Sequence, residues 1–162
     1  MFQIRPAASE DAAAIARIFL ESAEYHARLE PERYGIPDRE SVIARYRARA
    51  RQMLDGNVEA ITLLAVVEND VVGFVDAALE RSPDLMHRDL TYCHIVEIAV
   101  ALSHQSQGVG DRLLTAAEEW GRERGADLAS LEFLAANTRA GAFYQRRMGY
   151  RVVAHTAVKP LG

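Results

Sequence analysis

The sequence holds a single cysteine, Cys93, so no internal disulfide can form. Cys93 falls in an apolar segment and reads as a buried, inert thiol. Basic charge is not in excess: 19 Lys and Arg against 23 Asp and Glu give a net charge of −4, which removes the case for general nucleic-acid binding. No apolar run approaches the ~18 residues needed to span a bilayer. The opening stretch MFQIRPAASEDAA has no apolar core of a secretory signal, so a cytoplasmic chain without membrane attachment is expected. No His/Cys cluster has metal-ligand spacing, and no metal is expected. Repeats, low-complexity tracts and linkers are missing too. The 162 residues suit one domain, 1–162, with a proper core.

What is present alternates between two periodicities. Phe2 to Arg5 alternates apolar and polar and reads as a short strand ended by Pro6. Ser9 is placed to cap a helix whose first turn holds Glu10 and Asp11, and Ile15, Ile18, Phe19, Ser22 and Ala23 share its apolar face. Residues 31–38, with two prolines and a glycine, form a loop. Asp38 caps a second helix lined by Val42, Ile43, Tyr46, Ala50, Met53 and Leu54, and Asp55-Gly56 stops it. Residues 61–68 and 71–79 are β-rich and joined by Asn69-Asp70 as a hairpin. Residues 92–101 are apolar on both faces apart from His94 and Glu97, as in a covered central strand. A helix over 109–124 buries Val109, Leu113, Ala116, Ala117 and Trp120 and ends at Gly125. A strand over 130–135, a short helix over 138–148 and a last strand over 150–158 complete the order.

Between the central strand and its following helix lies Gln105-Ser106-Gln107-Gly108-Val109-Gly110. A glycine-bearing turn that opens a helix presents backbone N–H groups at the positive end of the macrodipole, a ready site for a phosphate. It is not a P-loop, because no Lys follows the glycines, and it lacks the third glycine of the dinucleotide fingerprint. The remaining pattern, Q-x-x-G-x-G after a strand, resembles the cofactor loop of the GNAT N-acetyltransferase superfamily. A second pattern supports the resemblance. Asn137-Thr138-Arg139-Ala140-Gly141-Ala142-Phe143-Tyr144, leading into Met148-Gly149-Tyr150, looks like the C-terminal signature of the same superfamily, in the right order and with one helix and one strand between the two.

The resemblance implies a mixed α/β fold: a central sheet of about 6–7 strands, antiparallel early and parallel where the cofactor inserts, flanked by about 4 helices. It also implies acetyl-CoA as co-substrate and an amine as acceptor. Only 12 residues follow Tyr150, so the family's closing hairpin is expected as a single strand. The backbone of Ile98, Ala99 and Val100 would pair with the pantetheine arm, and Gln105, Ser106, Gln107, Gly108, Val109 and Gly110 would hold the pyrophosphate. Asn137 and Phe143 would line the cofactor, and Asn137 is also placed to cap its helix. Dimers are common in the family, and a homodimer is compatible with this chain.

Acetyl transfer from a thioester to an amine needs a base, because an amine of pKa near ~10 is mostly ammonium at neutral pH, and an acid for the leaving thiolate. By resemblance, Tyr144 is that acid. Asn137, Gly141, Tyr144 and Met148 fall at helical spacing on one face; the alternative for Tyr144 is simple packing. Two glutamates compete for the base. Glu97 lies inside an apolar strand, where a carboxylate is costly unless paired or functional. Glu132 lies five residues before Asn137, where the branch acting on ribosomal-protein N-termini carries its base. A carboxylate at the sheet rim is the structural alternative for each. His94 reads as a satisfied core or rim histidine. The arginines at 39, 45, 47, 49 and 51 read as a solvated helix face, or as a docking surface for an acidic partner. Tyr25, His26, Glu30, Glu32 and Tyr34 belong to the segment that builds the acceptor site in this fold, and the acidic ones suit a cationic amine. The leading reading is a direct-attack N-acetyltransferase acting on a small amine, ahead of a protein N-terminus or lysine. A catalytically silent acyl-CoA-binding module and a non-acetyl donor are its rivals.

Overall fold

The computed structural model describes residues 2–56 and 59–161. The chain divides into two units, residues 1–132 and 133–162.

The first unit is a five-stranded sheet in the order β1-β2-β3-β4-β5, with β1 at Gln3–Pro6, β2 at Ala60–Val67, β3 at Asp70–Arg81, β4 at Thr91–Val100 and β5 at Leu128–Leu131. The first four strands are antiparallel neighbours, and β4 pairs with β5 in parallel. Three helices accompany the sheet: α1 (Ala12–Leu29), α2 (Arg39–Leu54) and α3 (Val109–Glu123). Alternation along the strands decides which side chain meets which helix. Leu64, Phe74 and Ala99 are register partners and share one buried cluster with Ile15, Ile18, Val42, Ile43 and Tyr46 of α1 and α2. On the other face Gly73 is pressed by α3: a Cβ there would lie 3.0 Å from Leu113 and 3.2 Å from Val109. A side chain at 73 would force Leu113, Val109 and the Ala99 carbonyl, 3.1 Å away, to give by a few tenths of an ångström.

Several sequence expectations need adjustment. Ser9 does not cap α1. Residues Ser9–Asp11 form a 3-10 turn instead, and the Asp11 carboxylate accepts from the Ala8 N–H at 2.8 Å and from both Arg5 guanidinium nitrogens at 2.7 Å. A charged acceptor with three donors outcompetes a neutral hydroxyl. Asp38 caps α2 as expected, its Oδ1 accepting from the Ser41 N–H at 3.0 Å, but Leu54 is 82% exposed at the frayed last turn. The β2–β3 turn is made by Glu68 and Asn69, both with positive φ, one residue earlier than Asn69-Asp70. That is the handedness a two-residue hairpin requires.

Among the described residues the sheet has five strands, not six or seven, for two reasons. The strand expected over 130–135 is Leu128–Leu131, and its pairing stops where β4 bulges. The strand expected over 150–158 does not form. Residues 151–158 are exposed and find no ladder partner among the described residues, and β-branched composition without a partner does not make a strand.

In the second unit, α4 (Thr138–Ala142) is followed by a π-helical turn at Phe143–Arg147, closed by the Met148 N–H donating to the Phe143 carbonyl at 3.1 Å. The expected helix is therefore present but widened halfway, and the uniform 3.6-residue face assumed for Asn137, Gly141, Tyr144 and Met148 breaks after Ala142.

Candidate active site

The decisive local event is in β4. Asp76 of β3 faces Glu97 and the next residue, Ala77, faces Ile95, so Val96 is an extra residue in β4. A bulge of this kind bends the strand and disrupts the ladder. Two consequences follow. The last β4–β5 pair is Ile95 with Leu131, so among the described residues no strand pairs with that edge of β4 from Val96 to Val100, the stretch containing Ile98, Ala99 and Val100. The bulge also changes the phase of alternation. Cys93 lies under α3, its thiol donating to the Ala117 carbonyl at 3.4 Å, and without the extra residue Glu97 would point the same way. With it, Glu97 joins Thr62 and Asp76 in a polar row beside the Leu64–Phe74–Ala99 row on the α1/α2 face.

At the end of β4 the chain makes a short 3-10 turn, Leu102–His104, and enters α3 through the glutamine-glycine loop. Gly108 is the N-cap of α3 with φ of +81° and open space where a Cβ would be. Ser106 also has positive φ, +63°, a conformation that costs a non-glycine residue about 1 kcal/mol. The loop is tied down by its glutamines: Gln105 donates through Nε2 to the Val100 carbonyl at 3.2 Å, and Gln107 to the Ser103 carbonyl at 3.1 Å. Val109 is buried and anchors the first turn, and Gly110 follows it. The first amides of any α-helix have no acceptor within the helix itself, and the macrodipole makes that end positive.

Glu97 stands in an electrostatically contested place. Burial pushes its carboxyl up to about 7; His26 and Arg45 pull it down, and Asp76 opposes them. Asp76 is buried and accepts from Arg49 Nε and Nη2 at 3.1 and 2.9 Å and from the Thr62 hydroxyl at 3.1 Å. The Tyr46 ring is buried edge-on against Phe74 and Phe19. Its hydroxyl has no hydrogen-bond partner among the described residues, and burial, with the charges of Asp76 and Glu97, raises its pKa. Beside this group α2 and the sheet enclose a cleft of about 370 Å³, lined by Arg45, Arg49 and Gln52 on one side and Asp76, Ala78 and Val96 on the other.

The other expected residues fall as follows. Glu132 is exposed just after β5. His94 is held by Ser130 at 3.0 Å, a satisfied histidine as read. Cys93 is buried, and burial raises its thiol to about 11. The His26 ring donates from Nδ1 to the Ser22 carbonyl at 2.8 Å and packs on Tyr34, ring centroids 5.6 Å apart. In the second unit Asn137 is buried, and its Oδ1 caps α4 by accepting from the Ala140 N–H at 3.1 Å. Phe143 and Tyr144 are half-buried with ring centroids 5.2 Å apart, and Phe133 lies 5.5 Å from Tyr144. A cleft of about 360 Å³ runs along Phe133, Asn137, Gly141 and Gln145.

Asp76 was not singled out from the sequence, and its partner Arg49 reads there only as one of the arginines of a solvated helix face. The signal was available: Asp76 is a lone carboxylate inside the apolar run VVGFVDAAL, the same cue that marks Glu97.

The family model described as the Acetyltransferase (GNAT) family matches residues 15–150, and the chain belongs to that family of acetyltransferases. Solved structures agree in fold. A mutant of the BH1408 protein from Bacillus halodurans superposes with a TM-score of 0.86 at 22% identity, covering 98% of this chain and 99% of that one. The aminoglycoside acetyltransferase HMB0005 from an uncultured soil metagenomic sample gives 0.66 at 19% identity, with 99% of both chains covered. AAC(6')-Iy, solved with the bisubstrate analogue CoA-S-monomethyl-acetylneamine, gives 0.72 at 17% identity, covering 99% of this chain and 97% of that one. Among curated proteins, none matches this chain significantly. Among the described residues, no helix is long and apolar enough to cross a membrane.

Proposed function

We propose that this chain is an N-acetyltransferase that moves the acetyl group of acetyl-CoA to a primary amine by direct attack within a ternary complex. The observation that carries the reading is the edge of β4 at 96–100, which contains Glu97, has no paired strand among the described residues, and leads through a 3-10 turn and the glutamine-glycine loop to the glycine-capped N-terminus of α3. A free strand edge suits the amides of a pantetheine arm as an added strand suits a sheet, and the helix start suits the pyrophosphate. AAC(6')-Iy, of the same fold, was solved with a CoA-containing analogue, which supports acetyl-CoA as the donor.

In this mechanism the backbone at Ile98, Ala99 and Val100 holds the pantetheine, and one of its amides polarises the thioester oxygen. Residues Gln105, Ser106, Gln107, Gly108, Val109 and Gly110 hold the pyrophosphate. Glu97, directly or through a water, takes a proton from the acceptor ammonium, and the freed nitrogen lone pair attacks the acetyl carbon. As the C–S bond breaks, the Tyr144 hydroxyl gives its proton to the departing thiolate. The attacking nitrogen loses its second proton as the amide forms, and that proton returns through water to the Tyr144 oxygen. Asn137 and Phe143 shape the cofactor's surroundings. Glu97 is favoured over Glu132 as base because its burial raises its carboxyl to about 7, where a general base works best at neutral pH, whereas Glu132 is exposed.

Release of free CoA thiol in the presence of an amine panel tests this reading. The wild type is expected to turn over, and Tyr144→Phe to lower kcat by about 10²-fold while leaving the KM for acetyl-CoA within a few-fold. A folded wild type that binds acetyl-CoA and releases no thiol with any amine would instead support the silent acyl-CoA module.

A further inference from the structure

The cleft beside Glu97 has a sign, and the sign says something about the acceptor. Arg49 is spent on Asp76, with both guanidinium contacts going to one carboxylate oxygen. Arg45 is not spent. Among the described residues it has no carboxylate within ion-pair distance; its guanidinium lies over the Tyr46 ring, 5.6 Å from the centroid. It lines the same cleft as Val96, the residue before Glu97. With Asp76 neutralised by Arg49, Arg45 leaves the lining of the cleft net positive, close enough to Glu97 to pull its carboxyl down. The volume, about 370 Å³, is near the small end of ligand sites, about 300–1,000 Å³.

Resting on the acetyltransferase reading, we propose that the acceptor is a small amine that also carries a carboxylate, and that Arg45 binds that carboxylate while the amine is presented to Glu97. A planar guanidinium presents its N–H donors in a fork that matches a carboxylate bidentately, and the Tyr46 ring 5.6 Å beneath Arg45 gives it a cation–π neighbour. A polycationic acceptor of the aminoglycoside kind would meet a repelling charge in this cleft, so this chain's acceptor differs in class from that of the aminoglycoside enzymes sharing its fold. Arg45 acts here as a specificity residue, with no part in the bond-making step.

The test compares ω-amino acids with their carboxamides as acceptors, so that the basicity of the reacting amine barely changes, and records acetyl-CoA binding on the same preparations. Wild type is expected to prefer each acid over its amide by about tenfold or more in kcat/KM, the worth of one charge-assisted pair. Arg45→Gln should bring that ratio to within about twofold by raising KM for the acid rather than lowering kcat, and Arg45→Lys should keep part of the preference. Arg45 is exposed, and unfolding midpoints of both variants check that they fold. Equal use of acids and amides, a preference for polyamines or aminoglycosides, or no acetylation of any acid by a protein that binds acetyl-CoA would each overturn the proposal and leave the cofactor reading standing. Failure of the folded wild type to bind acetyl-CoA would overturn both.

Discussion

Glu97→Gln is expected to lower kcat/KM by about 10²–10⁴-fold at pH 7 and to remove one break from the pH profile. One proton must be absent for productive encounter, that of Glu97, raised to about 7, because the ionised base takes up the proton that the acceptor ammonium, with a pKa near ~10, brings with it. The logarithm of kcat/KM should therefore rise with slope one below about pH 7 and level off above it, up to the amine pKa. In the glutamine variant slope one should hold throughout. Were Glu132 the base, Glu97→Gln would keep the wild-type profile and Glu132→Gln would lose the break. The same residue makes a stability prediction. Its folded pKa lies above its ordinary 4.5, so folding favours the neutral form. That contribution is complete below about pH 4.5 and is lost as pH rises through about 7. Glu97→Gln should thus gain stability relative to wild type between pH 5 and pH 8, approaching ~3 kcal/mol, read from urea denaturation at the two pH values.

Asp76→Ala is expected to cost about 3–5 kcal/mol of stability, the largest structural effect in the first unit. The carboxylate is 2% exposed and satisfies both Arg49 and the Thr62 hydroxyl, so its removal leaves a partly buried cation and a buried hydroxyl unpaired. Asp76→Asn keeps an oxygen facing Arg49 and should lose less. Asp76 also helps raise Glu97. Taking its charge away while Arg49 stays should move the Glu97 break below pH 7, provided the alanine variant is assayed where it remains folded. A loss under 1 kcal/mol with an unmoved break would contradict the role given to Asp76.

The family's two motifs and the order of elements were readable because they rest on local chemistry: a glycine that must adopt φ of +81° at Gly108, a capping Asn137, a capping Asp38. What the sequence did not disclose depends on partners far along the chain. The bulge at Val96 is invisible in YCHIVEIAV, which reads as an unbroken apolar run. Only the register against β3 shows that Val96 is extra and that Glu97 therefore leaves the α3 face. The tail at 151–158 has β-favouring residues and no strand to pair with among the described residues, a fact no local pattern carries. The arginines of α2 read alike as a solvated face. The structure separates Arg49, bound to Asp76, from Arg45, left without a counter-ion among the described residues, because only one of them reaches the buried carboxylate. The π-helical turn at Phe143–Arg147 likewise breaks a spacing argument that assumed 3.6 residues per turn.

The most direct test of the account is a calorimetric titration of acetyl-CoA into wild type and into the Gly108→Glu/Gly110→Glu double variant, with unfolding midpoints measured in parallel. The variant places carboxylates at the positive end of α3, where the pyrophosphate is assigned, and position 108 has room for a side chain at a backbone cost of about 1–2 kcal/mol. Micromolar binding by the wild type and none by the still-folded variant are expected. A folded wild type that takes up no acetyl-CoA, or a variant that binds it equally well, would contradict the account.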